Sequence, residues 1–255
     1  MASRVGVSGM HVNPGDVRAL AAGIIDTSRS LRVQWPLPKG SYFYGLDQDM
    51  PYEVSLLQAL SSQGIFRKYE FVLEVESGFG GRARWAARQF GCRVLGVEPD
   101  KWRADIAWRL GAQSATLEEA VFVAGGLDAL PFPSGAFTHV WWLWPRGDAC
   151  HFRYVEEIHR VLRDGGYFAW VARDSAMAEH AGAFLREAGF VLSEVRPLEV
   201  AVAGPWRGLA ERKLEQVLAG TPAVFSSWRR AMEPEAKARN LALLFARRAA
   251  KQLWR

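Results

Sequence analysis

Two cysteines in 255 residues, Cys92 and Cys150, are too few for a disulfide framework or a four-thiolate zinc site. A reducing cytoplasm is therefore the expected compartment, and no metal is expected. No run of about 18 apolar residues occurs, which excludes a membrane-spanning helix. The opening MASRVGVSGMHVNPGDV lacks a basic start leading into an apolar stretch, so no secretory signal is expected. There is no internal repeat, no low-complexity block and no nucleic-acid-binding signature. Neither sign of charge dominates, with 32 Lys+Arg against 27 Asp+Glu. The excess is local: residues 205–255 hold 11 basic and 4 acidic residues, which leaves 21 and 23 in the rest. What is plentiful is apolar surface, at 49% of residues, enough for a real core and too much for a disordered chain.

The pattern along the chain divides it in three. Residues 1–50 hold short helical patches broken by proline and glycine. Within them 31–44 is aromatic, with Trp35, Tyr42, Phe43 and Tyr44, and reads as a lid or arm. Residues 51–203 alternate short apolar strands with helices of about ten residues. Strands are expected at 71–75, 93–97, 120–124, 138–143, 167–171 and 190–202, and helices at 52–60, 82–90, 99–109, 154–162 and 176–188. That alternation means βαβ units and a mostly parallel, doubly wound sheet with helices on both faces. Residues 204–255 read as a basic helical element packed on the core or on a partner. Its last part, 233–253, is expected as a helix because Leu241, Phe245, Ala249 and Leu253 recur at four-residue steps.

The candidate site lies where Val72-Leu73-Glu74-Val75 runs into Glu76-Ser77-Gly78-Phe79-Gly80-Gly81. A strand enters a glycine-rich turn that opens a helix. Such a turn lets backbone approach a ligand, and the helix start offers free amides. Glu98 ends the next strand, 24 residues after Glu74. An acid there can accept both hydroxyls of a ribose. A tight structural turn with a solvated Glu98 is the competing reading.

From about Tyr42 to Leu198 the sequence resembles the class I S-adenosylmethionine-dependent methyltransferases, in particular the small-molecule and quinone C-methylase-like branch. Beyond the turn and Glu98, four segments carry the resemblance. Phe122–Phe132 is similar to that family's adenine-side strand and Leu-Pro-Phe turn. Ser134–Trp141 is similar to its fourth-strand entry, and Glu157–Gly166 to its Glu-Ile-x-Arg-Val-Leu-x-Pro-Gly-Gly segment. Gly189-Phe190 and the run after it fit the sixth strand. The resemblance implies a Rossmann-like α/β fold of seven strands, with a final strand around 245–248 that competes with the helix favoured by propensity. It implies S-adenosylmethionine held by Glu74, Gly78, Gly80 and Glu98, with Leu127 and Asp128 near the adenine. The methyl acceptor implied is a small molecule, apolar or aromatic.

The sequence departs from the family pattern at four places. Glu76 stands for the first glycine of the turn, Gly126 for the acid that contacts the adenine amino group, Thr138 for an aspartate and Asp164 for a proline. A glutamate at 76 adds bulk and negative charge beside the methionine end of the cofactor. Asp148 and His151 are the nearest titratable groups after the fourth strand and are weak catalytic candidates; a cap or surface role is the ordinary reading of such a histidine. Trp141, Trp142 and Trp144 read as core filling or as an aromatic wall, with Trp142 and Trp144 on one face of a strand end and Trp141 on the other. Two functions stand open. One is methyl transfer; the other is a catalytically inactive methyltransferase-like subunit that supports an active partner. Eleven tryptophans and an apolar terminal stripe make a homo- or hetero-oligomer the expectation.

Overall fold

In the computed structural model, residues 12–37, 41–48, 59–60, 67–146, 152–172, 175–198, 205–232 and 241–250 are described. Helix α1 (Pro14–Arg32) starts where the Asn13 side chain accepts the Asp16 amide at 2.9 Å and Pro14 presets its own φ. Val17, Leu20, Ile24 and Leu31 fall on one buried stripe. Strands and helices then alternate: β1 (Phe71–Val75), α2 (Gly81–Phe90), β2 (Arg93–Glu98), α3 (Lys101–Gln113), β3 (Ala120–Ala124), β4 (Phe137–Trp142), α4 (Phe152–Val161), β5 (Leu162–Ala172), α5 (Ser175–Glu187), β6 (Phe190–Pro197), α6 (Pro205–Val217), α7 (Pro222–Met232) and β7 (Ala242–Arg248).

The strands form one seven-stranded sheet ordered β3-β2-β1-β4-β5-β7-β6. Neighbours are parallel except at β7, which runs antiparallel to both β5 and β6. Strand order reverses between β1 and β4, so the crevice beyond their C-terminal ends is where an open α/β sheet takes its ligand. Alternation sorts side chains between two cores. Val72, Trp141, Ala169, Val171, Leu243 and Phe245 face one way. Leu73, Val75, Val140, Trp142, Phe168, Trp170, Leu244 and Ala246 face the other.

That sorting corrects the expected terminal helix at 233–253. Residues 242–248 are the strand β7, so the sheet draws on the chain well beyond 203. Ala242-Leu243-Leu244-Phe245-Ala246 is buried on both faces. A strand covered on both sides reads as a continuous apolar run, and the four-residue recurrence of Leu241 and Phe245 is incidental to it. Of the apolar stripe behind the expected oligomer, Leu241 and Phe245 are buried within the chain itself, Ala249 is exposed and Leu253 lies outside the described residues. Trp144 also differs from expectation: β4 ends at Trp142, and Trp144 packs with Trp141 rather than with Trp142. Of the expected helix at 52–60, only residues 59 and 60 are described.

A third core joins the two ends of the chain. It gathers Leu20 and Ile24 of α1, Tyr42, Phe43, Tyr44 and Leu46 of the arm, Ile106 and Leu110 of α3, Leu214 of α6 and Trp228 of α7. Gly23 lets α1 approach α6 closely, since a Cβ there would come within 2.8 Å of Leu218. The arm thus packs as expected, with the Tyr44 hydroxyl donating to the Trp35 carbonyl at 2.7 Å.

Candidate functional site

The turn after β1 is built from backbone first. Ser77 N–H donates to the Val97 carbonyl at 3.2 Å, and Gly80 N–H donates to the Ser77 carbonyl at 2.9 Å. Gly78 and Gly80 have φ of +58° and +78°, which glycine adopts freely. Glu76 has φ +55° and a side chain that must bear it. A non-glycine residue in that region costs about 1–2 kcal/mol. This is why a glycine stands here in the family pattern, and the strain is held by the contacts Glu76 makes. Its Oε2 accepts Trp142 Nε1 at 2.6 Å and the Arg146 amide at 3.0 Å. Burial pushes the Glu76 carboxyl upward from its usual range; the Arg146 charge and the Trp142 hydrogen bond oppose that shift.

Glu98 ends β2 and is fully buried. Gly78 N–H donates to its Oε2 at 2.8 Å and Asp100 N–H to its Oε1 at 3.0 Å, so backbone fixes the carboxylate on both oxygens. The open side of that carboxylate faces Arg146, whose Nη2 lies 2.5 and 2.6 Å from the two oxygens. Arg146 Nε also lies 3.5 Å from Glu76 Oε1. One arginine therefore bridges the two acids that the sequence singled out, one expected to bind and one expected to interfere.

The remaining expected residues divide. Glu74 is fully buried and accepts Arg82 Nε at 2.5 Å, while Arg82 Nη2 donates to the Glu76 carbonyl at 3.3 Å. Glu74 thus fixes the turn through Arg82. The space that Gly80 leaves is taken by the Phe122 ring and Arg84, and the Phe122 ring also crowds Gly96. Gly80 serves close packing of β3 against the turn. Leu127 is buried in the second core. Asp128 is exposed, and its Oδ1 stands 2.8 Å from where a side chain at Gly126 would begin. The acid missing at 126 is thereby offered from two residues later. Asp148 and His151 lie outside the described residues.

Two arginines of α2, Arg82 and Arg84, are buried. Arg84 Nη2 donates to Asp47 Oδ2 at 2.7 Å and to the Phe79 carbonyl at 2.5 Å, with Phe43 and Phe122 rings 5.6 and 5.5 Å away. Asp47 sits beside the start of α2, its carbonyl 2.8 Å from where a Gly81 side chain would begin. No local sequence signal ties Asp47 to Arg84 across 37 positions.

The donor set suits a nucleoside. Glu98 offers two acceptors for a diol, Gly78 and Asp100 hold it still, and Asp128 offers an acceptor further along the edge. Among the described residues, Ser77 Oγ and Asp47 Oδ1 are buried without a hydrogen-bond partner, one in the turn and one beside the α2 start. Such orphans mark a place where a ligand can satisfy them. The fit holds provided that Arg146 gives up Glu98. No group of three His, Cys, Asp or Glu among the described residues is placed to hold a metal.

Comparison with known proteins finds methyltransferases. Residues 73–170 match the family model described as a methyltransferase domain. The chain is 32% identical over 110 residues to sterol 24-C-methyltransferase of Eremothecium gossypii, covering 42% of this chain and 30% of that protein. It is 31% identical over 121 residues to the chloroplastic tocopherol O-methyltransferase of Arabidopsis thaliana, covering 45% of this chain and 34% of that one. The chain spans about a third of the length of these curated relatives. Among solved structures, the [4+2]-cyclase SpnF superposes with a TM-score of 0.60 at 18% identity, over 96% of this chain and 100% of that one. The geranyl diphosphate C-methyltransferase of Streptomyces coelicolor A3(2), solved with Mg2+, geranyl diphosphate and S-adenosyl-L-homocysteine, superposes at 0.54 with 17% identity, over 77% and 81%. At these identities the structures speak to the fold.

Proposed function

We propose that the chain, whose residues 73–170 match a methyltransferase-domain model, is a class I S-adenosylmethionine-dependent methyltransferase that transfers a methyl group to a small apolar or aromatic acceptor. The observation that carries the reading is Glu98, a carboxylate fixed by two backbone amides at the C-terminal edge of β2 beside the glycine turn. The family's cofactor, S-adenosylmethionine, supplies an electrophilic methyl on a sulfonium. The chain's residues then have to bind and orient. Glu98 accepts the ribose hydroxyls, and Asp128 accepts from the adenine amino group in place of the acid absent at Gly126. Ser77 and the start of α2 lie along the methionine end. Alkylation needs little acid–base help beyond late removal of one proton, so positioning supplies most of the rate. The acceptor class is supported by the relatives named for sterols and tocopherol. Titration calorimetry with S-adenosylhomocysteine tests the reading: micromolar binding supports it, and silence at millimolar ligand overturns it. Transfer of labelled methyl to a sterol or a prenylated phenol then tests the acceptor.

A second reading has its own observation. Arg146 on Glu98 and the strained Glu76 both stand against cofactor entry, which favours a subunit that has kept the fold and supports an active partner instead. Light scattering alone and with cell extract fractions, followed by methyl-transfer assay of any complex formed, separates the two: activity only in the complex, with no cofactor bound by this chain, supports the second reading.

A further inference from the structure

We infer that Arg146 is an intramolecular occupant of the nucleoside seat, held there by Glu76, and that any ligand with a ribose diol must displace it. The inference rests on the cofactor reading above. Both oxygens of Glu98 that face the crevice are engaged by one guanidinium nitrogen, at 2.5 and 2.6 Å. Those are the two oxygens a diol would use. The backbone of Arg146 is anchored separately, through its amide on Glu76 Oε2 at 3.0 Å. The same oxygen accepts Trp142 Nε1 at 2.6 Å, which locks the acid against the sheet. Glu76 therefore does two things that a glycine at this place would not. It fixes where Arg146 leaves β4, and its second oxygen, 3.5 Å from Arg146 Nε, adds a countercharge that keeps the guanidinium between the acids. Charge-assisted contacts of this kind are among the stronger hydrogen bonds, so the ligand competes against a real internal partner. The substitution at 76 and the arginine at 146 are one device: two buried acids bridged by one internal cation, which a cofactor must undo to enter. The side chain can leave because Arg146 is partly exposed, at 22%, where both acids are under 10%.

The test compares the wild-type protein with R146A and E76Q, using S-adenosylhomocysteine and adenosine by calorimetry and low-millimolar guanidinium chloride by thermal shift. R146A is expected to bind both nucleosides at least about tenfold more tightly. Guanidinium, as the excised side-chain head, is expected to raise the melting temperature of R146A and to compete with adenosine there, with neither effect in the wild type. E76Q keeps an acceptor for Trp142 while removing the charge, and is expected to tighten binding in the same direction; it carries the test if R146A does not fold. Nucleoside affinity in R146A or E76Q no better than wild type, with no guanidinium effect, overturns the inference. If no form binds a nucleoside but guanidinium still stabilises R146A alone, the arginine seat stands and the methyltransferase reading fails.

Discussion

At the scale of single residues, Glu76 is where stability and affinity part. Replacing it by glycine removes about 1–2 kcal/mol of left-handed backbone strain. It also leaves Trp142 Nε1 and the Arg146 amide without their acceptor, and each buried orphan costs about 1–3 kcal/mol. Glu76→Gly is therefore expected to lower unfolding stability by up to about 5 kcal/mol while tightening S-adenosylhomocysteine binding. A denaturant melt beside a titration checks both signs. Glu98→Ala is expected to weaken nucleoside binding tenfold or more with the fold intact, and an unchanged isotherm would reject the ribose assignment. His139 gives a pH signature remote from the site. Burial, and then repulsion by Arg163, lowers its pKa from 6.5 to about 3. Glu70 at 3.7 Å and Thr138 Oγ1 at 2.9 Å face its Nδ1. The unfolded chain binds this proton first, so the stability is fully present above pH 6.5 and is lost as pH falls toward 3. The slope approaches about 1.4 kcal/mol per pH unit. His139→Gln should flatten that slope in melts between pH 6.5 and 4.

At the scale of elements, β7 is the sharpest case. Its residues pair with β5 on one side and β6 on the other, and among the described residues β6 has no other strand neighbour. Truncation after Met232 should therefore unfold the sheet's outer half rather than trim an appendage; a truncated protein with an unaltered melt would contradict that. The difference shows what the sequence makes legible. The parallel strands were readable because each is a short apolar run between glycine or proline punctuation. β7 reads ambiguously, because Leu241, Phe245 and Ala249 in and beside it also recur at helical spacing. The segments around Leu130 and Glu157 were readable only as separate patterns. In the structure they are one unit: Glu157 Oε2 accepts the Leu130 amide at 2.8 Å, and Arg160 donates to the Leu130 and Phe132 carbonyls. At the site, Glu98 was legible from strand-end spacing. Arg146 and Asp47 were not, because their partners lie 48 and 37 positions away and nothing local encodes that meeting.

At the scale of the whole molecule, α6 and α7 pack on the arm at residues 41–48, far from them in sequence. Trp228 of α7 donates its indole N–H to the Leu46 carbonyl at 3.0 Å, across 182 positions. Arg207 of α6 donates to the Gln48 carbonyl at 2.8 Å. Residues 41–48, so clamped from behind, press Asp47 against the start of α2 and against Arg84. The C-terminal helices thus position the arm, and the arm positions the turn. Trp228→Phe keeps most of the apolar volume and leaves the Leu46 carbonyl without its donor, which should cost about 1–3 kcal/mol. The loss should appear first in the arm. Hydrogen exchange at the Leu46 and Gln48 amides, which close turns onto Phe43 and Gly45, is expected to speed up while exchange in β1 and β4 stays slow. S-adenosylhomocysteine affinity should fall several-fold through the loosened Asp47. Faster exchange with unchanged affinity would confine the arm to a structural role. Unchanged exchange would mean that the indole bond does not hold the arm, and would remove the link between the chain's ends and its site.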